Sequence, residues 1–166
     1  MCDRTAAPTP ESYTWDFSGE ASRLLEDLEF RARNVAFHSD RLVSYARRPL
    51  DLSYETQASE LTQAKEHINA MGEILCRLQR IAYVTDPWQR EAIYDVLPAA
   101  QTLARSTEEA IELLNEKRSS GYMPLYEESV ADMYAEGKRI AETVDASVAL
   151  ADARERMSEL REEAGA

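Results

Sequence analysis

A chain of 166 residues, 44% hydrophobic and 30% charged, is long enough to bury one self-sufficient core and too apolar to stay disordered. Its net charge of −12 repels phosphate backbones and anionic lipid, which argues against nucleic acid as a partner. No apolar run approaches the roughly 18 residues that a bilayer span needs.

The acidic excess deepens along the chain, from −1 over residues 1–50 to −4 over 51–100 and −7 over 101–166. Five Gly and six Pro leave a composition rich in helix formers. Residues 1–15 show no period and read as a tail or tether, and residues 16–162 read as one helical domain. Within the tail, Cys2 precedes a polar stretch with two prolines, Asp3 to Ser12. A mature bacterial lipoprotein begins in this way, with a lipidated cysteine ahead of a tether and Met1 standing for a removed signal. Cys2 is therefore a candidate lipidation site, and the alternative is a native Met1 in a cytoplasmic protein. The second cysteine, Cys76, lies among Ile74, Leu75 and Leu78 and reads as a small core-flanking residue. A bond between the two would need the tail to fold back, so no disulfide is expected.

Tyr13, Trp15 and Phe17 bring three aromatics together over one end of the domain. A first helix starts at Ser18 with Glu20 in its first turn, carries the stripe Leu24, Leu25, Leu28, Val35, Leu42 and Tyr45, and stops before Pro49. Asp51 or Ser53 caps a second helix, whose ladder Tyr54, Leu61, Ile68, Leu75 and Ala82, with Ala64, Met71 and Leu78 between, is the most regular in the chain. Leu61, Ile68, Leu75 and Leu78 should be nearly fully buried.

Asp86 then caps a third helix with Pro87 at its first position, and so tight a turn forces antiparallel neighbours. Its stripe is Ile93, Val96, Ala100, Leu103, Thr107, Ala110 and Leu114; Lys117 and Arg118 meet the negative end of the dipole before Gly121. Pro98 should kink it, with the bend filled by side chains. After Pro124 a fourth helix carries Val130, Met133, Gly137, Ile140, Val144, Ala151 and Met157, with Gly137 small enough for close approach and Arg161 to Ala166 fraying. Four rods on short loops make an all-α, antiparallel up-down-up-down four-helix bundle.

No motif specifies a chemistry. Di-metal bundles need Glu-x-x-His pairs, but Val35 and Ala64 stand three residues before His38 and His67. Zinc and covalent haem signatures and glycine-rich phosphate loops are missing from the sequence. His38 and Met133 fall in one layer, the axial pair of a b-type haem protein, but a lone histidine on an apolar stripe is more often a core residue, and neither cofactor nor metal is expected. Antiparallel folding gathers Tyr45, Tyr54, Tyr122 and Tyr126 beside Arg47 and Arg48 at one end, a mouth that could hold an anionic or aromatic small molecule.

The stretch Asp86-Pro87-Trp88-Gln89-Arg90-Glu91-Ala92-Ile93, with Leu103, the run Ser106 to Ile111, Leu114 and Asn115, resembles a group of exported helical-bundle proteins of soil bacteria to which no activity is attached. The resemblance implies export and imports no site residues. The expectation is a non-enzymatic bundle of the cell envelope or periplasm, with a structural or protein-interaction role, an unidentified protein partner, and membrane contact only through an N-terminal lipid. A small-ligand sensor bundle is the alternative.

Overall fold

The computed structural model describes residues 16–47, 54–116 and 124–165. Four helices account for nearly all of them: α1 (Phe17–Ala46), α2 (Tyr54–Ile81), α3 (Pro87–Glu116) and α4 (Pro124–Gly165), with a 3-10 turn over Ala82–Val84 before α3. No strand occurs among the described residues. The lysine, arginine and glycine assigned to the end of α3 lie outside them, as do the caps assigned to α2, Tyr13 and Trp15.

Each helix packs on its two neighbours in the order α1, α2, α3, α4 and back to α1, and the diagonals barely touch. Polar pairs between opposite ends fix the antiparallel sense. Arg77, late in α2, meets Glu20 at the start of α1 with 2.6 Å between Nε and Oε1. The Tyr54 hydroxyl at the start of α2 donates to Asn115 Oδ1 at the end of α3 at 2.8 Å. Arg47, just past α1, meets Glu127 in the first turn of α4 at 3.1 Å. Within this frame Leu25, Leu28, Val35, Leu42, Leu78, Ile93, Val130, Met133, Ile140 and Val144 form the sealed interior. The four-helix bundle expected from the heptads is the fold.

The helix starts follow the chemistry of exposed N–H groups. Asp16 caps α1 by accepting from the Gly19 N–H at 2.8 Å. At α3, Gln89 occupies the third helical position, and its Oε1 accepts from the Asp86 N–H at 3.1 Å, half of a capping box. The Nε2 of the same side chain donates to the Ser18 carbonyl and to Ser22 Oγ, so one buried amide locks the start of α3 to the start of α1.

Two expectations are corrected. Ile68 is only half-buried, unlike Leu61, Leu75 and Leu78, because it faces α3, and α2 and α3 are the most thinly packed neighbours in the ring. α3 runs from Pro87 to Glu116 with Pro98 inside it, and Pro98 and Tyr94 both lie on the exposed side, where water can satisfy the Tyr94 carbonyl. Met157 is not on the buried stripe of α4. The helix continues past its expected fraying point to Gly165, and every residue from 152 to 165 is exposed. At 1.5 Å per residue this overhang is about 20 Å long.

Candidate functional site

The tyrosine mouth is brought together only in part. Arg48 and Tyr122 lie outside the described residues, as does Cys2. Tyr45 is half-buried, and its hydroxyl accepts from Arg41 Nε and Nη2 at 3.3 and 3.1 Å. Arg47 is engaged by Glu127 and Tyr54 by Asn115. Arg47 and Tyr54 therefore tie helix ends to one another, while Tyr45 is held within α1. Tyr126 has gone inside: it is fully buried, its hydroxyl has no hydrogen-bond partner, and burial pushes that hydroxyl well above the ordinary tyrosine pKa.

The structure instead gathers a polar cluster between α1 and α2. One turn of α1 carries His38 and Arg41, and two turns of α2 carry Glu60 and His67. The Glu60 carboxylate is divided between two partners, with Oε2 2.8 Å from His38 Nδ1 and Oε1 3.0 Å from Arg41 Nη2. Both His38 and Glu60 are under a tenth exposed. The imidazoles of His38 and His67 stack at 5.9 Å between centroids, and the exposed Phe37 closes the other side edge-on at 5.3 Å. The Arg41 guanidinium lies 5.8 Å from the Phe37 ring centroid, a cation–π contact. His67 Nδ1 is buried without a partner, and desolvation, with Arg31 and His38 nearby, lowers the pKa of its imidazole.

A carboxylate on Nδ1 is how a histidine is oriented in a proton-transfer site. Here the same contact also explains why His38 can be buried at all: a polar group inside needs its partner. Among the described residues no group of three or more histidine, cysteine or acidic side chains could hold a metal ion. His38 and Met133 are both buried, but His38 is directed to Glu60 on α2. Sequence reasoning found His38 and missed Glu60, although Glu60 and His67 stand seven residues apart beside an apolar ladder. A carboxylate in that position reads as solvated until a partner is seen.

Cys76 is half-buried on α2, as a core-flanking residue is, but it is disulfide-bonded, which corrects the expectation of no disulfide. The sequence holds one other cysteine, Cys2.

A further open surface feature lies on α3 and α4. A groove of about 470 Å³ between them is lined by Trp88, Glu91 and Asp95 from α3 and by Thr143, Ala146 and Leu150, among others, from α4. Pro98 does not line it. Leu150 in the groove is 51% exposed, and beyond it the overhang of α4 leaves Met157 and Leu160 at 53% and 64% exposure. None of the described helices is long and apolar enough to cross a membrane. Neither a protein-family model, nor a curated protein, nor a solved structure matches this chain.

Proposed function

We propose that this chain is a non-enzymatic interaction module of the cell envelope, a bundle that presents the outer face of α4 to a protein partner. The observation that carries the reading is the overhang. The fourteen exposed residues 152–165 hold Met157 and Leu160 in water, with Leu150 just before them, and a helix that short is marginal alone, so a second surface is needed to cover it. The bundle is complete without it, since the buried stripe of α4 ends at Val144. The His38–Glu60 pair fits a structural role, because it is buried and away from the groove.

Export is supported by the disulfide at Cys76, a bond that persists in oxidising compartments. It also limits the lipid reading. A Cys2 sulfur paired with Cys76 cannot carry a thioether lipid, so an intrachain disulfide and a lipidated Cys2 exclude each other. The test of the main reading places a photo-crosslinking residue at position 157 and, in a second variant, at Glu108 on α3. Protein adducts that form from position 157 and not from 108 are the expected result. Adducts from neither position, or equally from both, contradict it.

A further inference from the structure

α4 carries two apolar stripes, not one. At about 100° per residue, the buried stripe Val130, Met133, Gly137, Ile140 and Val144 and the outer stripe Leu150, Ala153, Met157, Leu160 and Ala164 point about 160° apart. Two opposed stripes cancel, which is why α4 taken whole is the least amphipathic of the four helices. The outer stripe keeps the three-and-four spacing of a helix–helix seam, with small alanines between Leu150, Met157 and Leu160. Its edges are basic, Arg154 and Arg161 on one side and Arg156 on the other. Its back is acidic, with Asp152, Glu155, Glu159 and Glu162.

The stripe runs into the groove: Leu150 belongs to both, and Arg154 on the edge of the stripe lines the groove too. On the far wall of that groove α3 presents Trp88 with Glu91 and Asp95. Thr143, Ser147 and Arg154 line the groove, so the edge of α4 that carries Arg154 and Arg161 is the edge turned to α3. We infer that the overhang of one copy docks antiparallel into the α3–α4 groove of a second copy, making a two-fold symmetric dimer. This rests on the interaction-module reading and names its partner. In an antiparallel pair like edges of the two seams meet, so Arg154 and Arg161 of the second copy run along the α3 side of the first. There Glu91 and Asp95 supply the opposite charge beside the first copy's own Arg139 and Arg154, and Trp88 with Leu150 covers Met157 and Leu160. Two-fold symmetry then covers both stripes with a single kind of contact and leaves no open end. A lipid surface is the poorer occupant, because an acidic back on a chain of net charge −12 opposes anionic headgroups.

The test is sedimentation of the full chain over a concentration series, with variants at exposed positions. The wild type should pass from monomer to dimer as concentration rises, and added salt should weaken the dimer through its arginine–carboxylate edges. Leu160→Glu should raise the midpoint concentration at least about tenfold, roughly 1.4 kcal/mol, with an unchanged thermal midpoint in dilute protein. Arg154→Glu with Arg161→Glu should weaken the dimer too, and adding Glu91→Lys with Asp95→Lys should restore it. A wild type that stays monomeric up to about 1 mM overturns the dimer. So does a dimer that Leu160→Glu leaves untouched, or a monomer that sediments with vesicles of anionic phospholipid. Protein adducts at position 157 in a monomeric wild type would leave the interaction module standing and remove only the second copy as its partner.

Discussion

The described part of the molecule contains several buried polar atoms, and their differing fates allow separate tests. The Tyr126 hydroxyl is sealed in the core with nothing to bond, so its desolvation is uncompensated. Tyr126→Phe removes the group and leaves the ring, and should stabilise the chain by about 1 kcal/mol in denaturant unfolding; a loss of stability would mean that the hydroxyl has a partner. Glu60 is the opposite case. Glu60→Ala strands a buried His38 and should cost about 2 kcal/mol or more, whereas Arg41→Ala removes a half-exposed partner and should cost less than about 1 kcal/mol. Equal costs would refute the assignment of the carboxylate to His38. His67 sets a pH dependence. Desolvation first, then Arg31 and His38, lower its pKa in the folded chain, against a smaller opposite effect of Glu66. The unfolded chain therefore binds the proton more readily, so this contribution is whole above a pH of about 6.5 and is lost as pH falls through the folded value. The thermal midpoint of the wild type should drop more between neutral and mildly acidic pH than that of His67→Gln, and parallel slopes would contradict the shift.

At the scale of elements, two glycines sit in helices for different reasons. A Cβ at Gly137 would stand 3.1 Å from the Ala36 nitrogen and 3.2 Å from the Ala32 carbonyl oxygen, both backbone atoms of α1 that cannot swing aside. At Gly72 it would meet nothing within 4 Å. Gly72→Ala should stabilise the chain by up to about 1 kcal/mol through helix propensity, while Gly137→Ala should destabilise it despite the same gain. A rise in the unfolding midpoint for both would show that α1 and α4 are not so close. Gly137 was readable from the sequence, because a glycine on an apolar stripe signals close approach. The four rods, the Pro87 start and the tight turn were readable too, from heptads and capping residues alone. Ile68 was not: its exposure depends on how thinly α2 meets α3, which no spacing within α2 records. Nor was the side change of α4, because the ladder Val144–Ala151 and the ladder Leu150–Met157–Ala164 overlap at adjacent residues, and joining them into one stripe puts Met157 on the wrong face. The His38–Glu60 contact joins residues on different helices, so sequence spacing could offer only its two halves.

At the scale of the molecule, one long helix serves two purposes on opposite faces. Up to Val144 its inner face closes the bundle against α1 and α3; from Leu150 its outer face is apolar, edged by arginines and exposed. The concentration of acidic charge in the last third suits this division, since it keeps the back of the overhang in water while the stripe remains available. Amide hydrogen exchange on the full chain, in dilute and in concentrated protein, tests the division most directly. The account predicts that amides from Val130 to Val144 exchange only on global unfolding at both concentrations. Those from 152 to 165 should be nearly unprotected when dilute and become protected when concentrated. Protection of 152–165 equal to the bundle in dilute protein, or none gained on concentration, would contradict it.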